Sequence, residues 1–348
     1  MSKSQGRIAG VIAILLTALL LAGCGGGSSN SAGSTGANSS GDASAAGKKV
    51  ILLTVTTSCD YCRQHLDAFQ AEASKQGLQV DVKTTNYDAA EQAQQVDQAI
   101  AQKPDGIVLW PADANAIVPS LNKIHKAGIP LVVSNSLPDQ KNEELWDVYT
   151  GPNDEAEGES AATAMLQGFK EKGISSGGVI GILGVPGTPP AINRLAGFKK
   201  VLEEQGQGFS YLGDQPGNWD QTQATSAAAG LFTANAGNNV VGVFSEADNM
   251  AAGAIVAAQR SGITPSKAVF VGVNCSPEGV TGINAGDQYA TVLQSPVLDG
   301  QYAARRSRTC WPESRSRRPS SCRRRSSPRT TSPTAPRPTG SPGRLALL

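Results

Sequence analysis

The chain has 348 residues with 30 basic and 29 acidic side chains, so its formal net charge is only +1. Aromatic residues make up 5% of the sequence and glycine occurs 39 times, a composition that disfavours an all-β sandwich and suits buried parallel strands packed against helices. The length leaves room for two domains of ordinary size.

The N-terminal segment has the features of an export signal. Lys3 and Arg7 precede an apolar stretch over residues 8–20, which is shorter than the roughly 20 residues that a membrane span requires. The stretch ends in Leu-Ala-Gly-Cys24, which resembles the lipobox of bacterial lipoproteins. That resemblance implies that residues 1–23 are a cleaved signal peptide and that lipid is attached to Cys24. An ordinary signal peptide with an incidental cysteine is the alternative.

Residues 24–48 separate this signal from the rest of the chain. They consist almost entirely of Gly, Ser, Ala and Asn. Such a segment cannot bury enough apolar surface to fold, so we expect a flexible linker.

An alternation of strands and helices begins at Lys49. The apolar run over residues 49–56 predicts a strand buried on both faces. A helix is predicted over 62–76, where Leu66, Phe69 and Ala73 share one face. The pattern then predicts strands over 78–84, 106–110 and 129–134, and helices over 91–102 and 117–127.

After a polar stretch over residues 135–145, the alternation resumes. It predicts helices over 156–172, 191–205, 220–235 and 251–262, and strands over 178–183, 209–212, 240–245, 268–273 and 289–294. Two such series predict an α/β fold of two doubly wound, Rossmann-like lobes with parallel sheets, joined by a multi-strand hinge. We place lobe 1 at 49–136 plus 295–304, and lobe 2 at 137–294. Ligands of such folds bind in the cleft at the carboxyl ends of the strands.

The last segment, residues 305–348, differs from the body in composition. It contains twelve Arg, no Lys and one acidic residue, which leaves 18 basic and 28 acidic residues in the rest of the chain. A basic arm for nucleic acid is one interpretation. We favour the other, a disordered tail read in an altered frame, because Arg/Ser/Pro-rich runs are typical of GC-rich DNA translated out of frame and an exported protein meets little nucleic acid.

Five ordered segments of the body resemble the type I solute-binding proteins of the ribose/galactose class, which serve ABC importers. They are Pro104–Asp113, Ala127–Val133, Gly187–Phe198, Phe244–Gly253 and Val271–Gly279. The resemblance covers roughly residues 49–302. It implies a binding protein without catalytic residues or cofactor, with two lobes that close on a small sugar or polyol.

The resemblance also implies which side chains contact the ligand. In such proteins aromatic faces stack on the apolar side of the sugar, and polar groups at strand ends bind its hydroxyls. The predicted ligand-binding residues are Asp60, Tyr61, Trp110, Asn135, Arg194, Trp219, Asn274 and Gln294.

Several positions depart from the family pattern. Its Asp-Arg pair after the fourth strand is Asn135-Ser136 here, its paired Phe residues are Cys62-Arg63, and an Asn in lobe 2 is Ala247. We therefore expect a ligand other than ribose or glucose.

Four site and strand-end residues also have structural interpretations. Trp110 could equally pack at a strand end. For Trp219 we favour a role in the site, because a core role would be unusual for so large a ring at the start of a helix. Arg194 could contact ligand or form a salt bridge to an acidic loop such as the one holding Asp214. Asp248 is expected to cap the following helix.

The cysteines offer a rival function. Cys59 and Cys62 form a CxxC motif between a buried strand and a helix, as in thioredoxin-like redox sites, so a thiol-disulfide oxidoreductase lipoprotein is the alternative. A structural Cys59–Cys62 disulfide at the mouth of the cleft is the simpler expectation outside the cytoplasm. His65 and His125 are isolated and are expected on helix surfaces, so no metal site is predicted.

The expected partners follow from these features. They are a small sugar or polyol, the permease subunits of an ABC importer, and the membrane through the lipid on Cys24; nucleic acid is not expected. We predict a monomer held on the extracytoplasmic face of the membrane. Its lobes would rotate about three crossovers, near residues 135–152, near Gln294 and at a later strand.

Overall fold

A computed structural model describes residues 46–264 and 266–309. The predicted signal peptide, the lipid-attachment site Cys24, most of the linker and the tail beyond Thr309 lie outside the described residues.

The described chain forms two five-stranded sheets in which every strand pairing is parallel. The first sheet has the order β2-β1-β3-β4-β5, and its strands and helices are β1 (Lys49–Thr54), α1 (Asp60–Lys75), β2 (Gln79–Thr84), α2 (Ala89–Ala101), β3 (Gly106–Leu109), α3 (Val118–Lys126), β4 (Leu131–Ser134) and β5 (Val148–Thr150). A 3-10 helix over Gln140–Leu145 precedes β5.

The second sheet has the order β10-β9-β8-β6-β7. Its elements are α4 (Asp154–Lys172), β6 (Gly177–Leu183), α5 (Pro189–Gln205), β7 (Phe209–Pro216), α6 (Gln221–Ala234), β8 (Val240–Ser245), α7 (Asp248–Arg260), β9 (Val269–Asn274), α8 (Pro277–Ala285) and β10 (Ala290–Leu293). The last described helix, α9 (Pro296–Thr309), packs on α1 of the first lobe.

Each sheet is covered on both faces, as the apolar strands predict. In lobe 1 one core holds side chains of α2 and α3, and the other holds those of α1 and α9. In lobe 2 the two cores are built by α4 with α5 and by α6 with α7. The structure thus confirms the two doubly wound α/β lobes, and the two chain crossings among the described residues lie between β5 and α4 and between β10 and α9.

The predicted boundary between the lobes at residue 136 is wrong. Val148–Thr150 pair with Val132–Ser134 and extend the first sheet, so residues 137–150 belong to lobe 1. A three-residue strand within a polar stretch gives too short a pattern to recognise. Helix α8 was also missed, because its two glycines and three β-branched residues lower its helix propensity.

The predicted start of the tail at residue 305 is too early. Helix α9 continues to Thr309, and Ser307 is fully buried. The Arg305 Nε atom donates to Glu72 Oε1 on α1 at 2.9 Å, which ties this part of the segment to lobe 1.

Candidate functional site

A cleft of about 390 Å³ lies where the carboxyl ends of the strands in the two sheets face each other. Side chains of both lobes and of the second crossing line it. All eight residues predicted to bind ligand are among them, namely Asp60, Tyr61, Trp110, Asn135, Arg194, Trp219, Asn274 and Gln294. The strand-end rule for open parallel sheets therefore brings the predicted residues to one place.

The first turn of α1 forms one wall of the cleft. Cys59 caps this helix, with its sulfur accepting a hydrogen bond from the Cys62 backbone N at 3.0 Å, and the two cysteines form a disulfide. Asp60, the first residue of the helix, forms an ion pair with Arg63. The disulfide, Asp60 and Tyr61 all line the cleft from this first turn.

Trp110 continues this wall after β3, where it is both packed in lobe 1 and part of the cleft lining. Its side chain is 4% exposed and its ring contacts His65 edge-on at 4.9 Å between centroids and Tyr61 at 6.1 Å. It therefore packs in the lobe 1 core and still presents an edge to the cleft.

His65 lies beneath Trp110 and not on the helix surface where we expected it. It is fully buried, and its Nε2 atom lies 3.0 Å from Ser134 Oγ. Burial lowers the pKa of His65 to about 3, so the ring is neutral at ordinary pH. The apolar neighbours at one-turn spacing put this residue on the buried face of α1.

Asn135 contacts a buried acid, Asp299, that was not predicted from the sequence. Its backbone has φ +61°, and its Nδ2 group lies 2.7 Å from Asp299 Oδ2 and 2.9 Å from Tyr61 Oη. Asp299 stands on α9, and Tyr61 donates to it at 3.2 Å. Burial raises the pKa of Asp299 to about 7, although the hydrogen bonds from Asn135 and Tyr61 act in the opposite direction.

Arg194 occupies the centre of the lobe 2 side. Its side chain is 4% exposed, with Nε 2.9 Å from Glu157 Oε2 and 3.1 Å from Asp154 Oδ1. Nη1 donates to the Glu246 carbonyl at 2.8 Å. Both acids lie on α4, so the salt bridge that we had considered with the Asp214 loop is formed instead with the neighbouring helix.

Close packing of α4 and α5 produces this ion cluster. A Cβ at Gly158 would lie 2.0 Å from the Arg194 carbonyl oxygen, and a Cβ at Gly197 would lie 2.0 Å from the Glu155 carbonyl oxygen. The two glycines let the helix backbones touch, and this places the guanidinium against the first turn of α4.

The two acids beside Arg194 are buried with it, and burial shifts their own pKa values. Burial raises the pKa of Glu157 to about 8 and that of Asp154 to about 6, even though Arg194 lowers both. Because a cation pays a large desolvation cost in the interior, it is retained only where such partners are present. Asp154 and Glu157 are such partners for Arg194, at 3.1 and 2.9 Å from Nε.

Trp219 lies opposite this guanidinium, just before α6. Its backbone has φ +61°, and the helix begins only at Gln221, so Trp219 does not open the helix as predicted. Its ring centroid lies 6.0 Å from Arg194 Cζ, and its carbonyl accepts from Asn249 Nδ2 at 2.9 Å. The half-buried ring packs against the core built by α6 and α7 and lines the cleft.

Asn274 and Gln294 complete the polar floor after β9 and β10. The Gln294 Oε1 atom accepts from Asn274 Nδ2 at 2.6 Å and from Arg194 Nη2 at 2.7 Å. Because a carbonyl oxygen has two lone pairs, both acceptor positions are used. A ligand hydroxyl would therefore meet the Nε2 donor of Gln294.

Asp248 does not cap α7 as expected. Its fully buried carboxylate accepts from the Ser276 backbone N at 2.9 Å, from Gln288 Nε2 at 2.7 Å and from Thr291 Oγ1 at 2.8 Å. It holds the loops after β9 and before β10 together and is absent from the cleft lining.

Other lining residues were not among the eight predicted to bind ligand, although the disulfide was expected at the mouth of the cleft and Ser136 and Ala247 were named as departures from the family pattern. Asn249 and Tyr87 follow the ends of β8 and β2, so the strand-end rule could have found them. The remaining additions are Ser58, Gln64, Ser136, Thr188, Pro190, Asp220, Gln221, Ala247, Cys275, Ser276, Pro277, Glu278 and Pro296, together with the disulfide cysteines Cys59 and Cys62.

The lobes also touch at the mouth of the cleft. The Ala114 backbone N donates to the Gly187 carbonyl at 3.0 Å, joining the loop after β3 to the loop after β6. Gly187 has φ +86°, and a Cβ there would lie 2.3 Å from Asp113 Oδ2. This contact requires glycine both for its backbone and for its closeness.

The arrangement suits a ring with one apolar and one hydroxylated face. It combines two tryptophans and two tyrosines with amide, guanidinium and carboxylate groups. Within residues 46–264 and 266–309 there is no group of three His, Cys, Asp or Glu side chains placed to hold a metal ion. No helix in the same part of the chain is long and apolar enough to cross a membrane.

Comparison with known proteins agrees with this fold. A family model described as "Periplasmic binding protein domain" matches residues 50–306. The ribose import binding protein of Bacillus subtilis is 25% identical over 67% of this chain and 72% of its own length. The xylitol-binding protein of Mycolicibacterium smegmatis is 25% identical over 71% of this chain and 68% of its own length.

A solved structure gives the same architecture. The chain matches an ABC transporter solute-binding protein from Mycobacterium smegmatis with bound glycerol, at a TM-score of 0.67 and 25% identity, over 75% of this chain and 86% of that one. None of these three relatives is described as an oxidoreductase, so the redox alternative gains no support.

Proposed function

The chain belongs to the periplasmic binding protein domain family, and on that premise we propose that it is the extracytoplasmic solute-binding component of an ABC importer. Its ligand would be a small sugar or polyol held between the lobes. The relatives named for ribose and xylitol, and the structure with bound glycerol, support a neutral polyhydroxyl compound. The protein would bind and deliver this compound without catalysing a reaction.

The observation that carries this proposal is the composition of the cleft. Trp110 and Trp219 approach from opposite lobes, and Asn135, Arg194 and Gln294 bring polar groups between them. Aromatic rings stack on the C–H face of a sugar, and amide and guanidinium donors bind its hydroxyls. Both lobes must be close to the ligand for these groups to act together.

Ligand binding would then favour the closed form of the protein. A ligand that contacts both walls is bound more tightly when the lobes approach, so it shifts the equilibrium toward closure. The closed pair of lobes is the form that we propose the permease subunits recognise, with the protein acting as a monomer.

The first experiment is calorimetric titration and thermal unfolding of the full chain with D-ribose, xylitol, glycerol, D-allose and myo-inositol. We expect one of these polyols to bind with micromolar or tighter affinity and to raise Tm, and we expect D-ribose to be weaker than the best of them. Ligand at about 100 times Kd should stabilise the fold by about 2.7 kcal/mol. Absence of binding by every sugar and polyol, with disulfide reductase activity at Cys59 and Cys62, would contradict the proposal.

We further propose that lipid on Cys24 anchors the protein to the outer side of the membrane. The Leu-Ala-Gly-Cys sequence supports this. Metabolic labelling with a clickable fatty acid should mark the wild-type protein and not Cys24→Ser, and the variant should leave the membrane fraction. An unlabelled wild-type protein would contradict the lipid anchor without affecting the ligand proposal.

A further inference from the structure

We propose that Gly184 and Glu246, which do not line the cleft, position the Trp219 ring and the Arg194 guanidinium as one ligand platform. The inference rests on the proposed function in that the platform would hold the polyol. It concerns how lobe 2 builds that surface, and it can be tested with and without ligand.

Gly184 lies directly against the indole of Trp219. A Cβ on residue 184 would lie 1.8 Å from Cζ2, 2.1 Å from Cη2 and 2.3 Å from Cε2 of this ring. These distances are far inside van der Waals contact, and the fused ring cannot bend away as an aliphatic chain could. Any side chain at position 184 therefore displaces the ring toward the cleft.

The backbone conformation of Trp219 indicates that the surrounding structure fixes the position of its ring. Asn218 and Trp219 have φ of +54° and +61°, a region that non-glycine residues occupy at a cost. The backbone N atoms of Gly217 and Asn218 donate to the Leu183 carbonyl at 2.7 and 3.2 Å, immediately before Gly184. The end of β6 thus fixes both the chain before the tryptophan and the space for its ring.

Glu246 connects this platform to Arg194. Its Oε2 atom accepts from the Gly184 backbone N at 2.7 Å, and its carbonyl accepts from Arg194 Nη1 at 2.8 Å. The residue is fully buried at the end of β8, and its own backbone N donates to the Ile182 carbonyl at 3.1 Å. Glu246 therefore fixes both the position of Gly184 and the direction of the Arg194 guanidinium. The guanidinium carbon lies 6.0 Å from the centroid of the Trp219 ring, which packs on Gly184.

The first test measures the ring without any ligand. The full chain contains four tryptophans, so labelling with 5-fluorotryptophan gives four fluorine resonances, and Trp219→Phe identifies the one from Trp219. We expect Gly184→Ala to shift this resonance and leave that of Trp146 in place. Gly178→Ala is the matched control, because Gly178 lies on β6, the strand that ends just before Gly184, and its Cβ would meet Leu212 Cδ1 at 2.1 Å; neither residue lines the cleft.

The second test measures binding of the polyol that binds most tightly in the calorimetric panel. We expect Gly184→Ala to weaken its affinity about tenfold or more and Gly178→Ala to weaken it much less at a comparable loss of Tm. In the Trp219→Leu background Gly184→Ala should have almost no further effect, because the ring through which it acts is gone. An equal effect in both backgrounds would overturn the positioning role.

The third test separates the Glu246 contact from folding in general. Burial raises the pKa of Glu246 well above its ordinary value, which favours the protonated form, so glutamine is a close replacement. Glu246→Gln keeps an oxygen acceptor for Gly184 and should keep the Trp219 resonance in place, whereas Glu246→Ala should shift it. If the Trp219 resonance is unshifted in both Gly184→Ala and Glu246→Ala, the positioning role is overturned, whether or not any sugar or polyol binds. If the resonance shifts but no sugar or polyol binds to the wild type, the result counts against the proposed function alone.

Discussion

Asp299 illustrates how one buried carboxyl can make stability depend on pH. Its pKa is raised by burial to about 7 in the folded protein, against 3.8 in an exposed carboxyl. A raised pKa means that the folded state keeps the proton, so the associated stability is complete below pH 4 and is lost as the pH rises through 7. Asparagine at this position does not titrate and still offers an oxygen to Tyr61 and Asn135.

We therefore predict that the stability of wild type relative to Asp299→Asn falls between pH 5 and pH 7. The slope should approach about 1.4 kcal/mol per pH unit. Urea unfolding at pH 5, 6, 7 and 8 measures it. The titration of His65 cancels in the difference, whereas Asp154 and Glu157 interact with the charge of Asp299, so part of their titration remains in it. Asp67→Asn, on the exposed side of α1, is the control. A constant difference across this range would show that Asp299 is ionised in the folded protein.

The residues of the cleft were predictable in part. Trp110, Asn135 and Asn274 follow strand ends, and the geometry of parallel sheets brings such positions together. Asp299 could not be found this way, because it lies inside a helix whose packing on α1 no local pattern reveals. The sequence offered the Asp214 loop as one possible salt-bridge partner of Arg194 and did not point to α4 for the same reason, since the contact of α4 with α5 is a tertiary property.

At the scale of the elements, the disulfide at the start of α1 is expected to shape the site more than it stabilises the fold. It joins residues three apart, and closing so short a loop removes little entropy from the unfolded chain. Cys59 is also the N-cap, and serine is a good substitute at that position.

We predict that Cys59→Ser/Cys62→Ser loses about 2 kcal/mol or less of unfolding free energy. Its affinity for the bound polyol should change, since both cysteines line the cleft. Urea unfolding and calorimetry measure the two effects. Cys275→Ser is the control for loss of a thiol in the stability measurement only, because Cys275 also lines the cleft. A loss of stability above about 4 kcal/mol would mean that the disulfide holds together more of lobe 1 than the first turn of α1.

The elements that sequence reasoning found and missed differ in length and pattern. Strands such as β1 and β8 are continuous apolar runs, and these were placed to within a residue or two. Strand β5 has three residues, and α8 contains Gly279 and Gly282, so neither provides a usable period. The lobe boundary was misplaced because it depended on recognising β5.

For the molecule as a whole, the contact between Ala114 and Gly187 links the two lobes on the ligand-binding side. It joins loops from different sheets, so it must break if the lobes separate. A ligand held by both walls would favour the arrangement in which this contact exists. The contact therefore offers a way to alter closure without touching any residue that lines the cleft.

We predict that Gly187→Ala weakens ligand affinity about tenfold by opposing closure. In the described arrangement of the lobes the new Cβ would lie 2.3 Å from Asp113 Oδ2, so this carboxylate would have to move, whereas with the lobes apart the overlap disappears. Small-angle X-ray scattering with saturating polyol should show the wild type contracting and the variant contracting less. Asp113→Ala in the same chain should restore part of both effects.

Gly173→Ala is the control for the backbone cost alone. Gly173 has φ +67° with nothing within 4 Å of its Cβ position, so alanine there meets strain but no neighbour. It should lower Tm and leave the affinity and the scattering profile as in wild type. If Gly187→Ala behaves in the same way, the lobes approach each other through contacts other than this one, and ligand affinity does not depend on how closely residues 113 and 187 can pack.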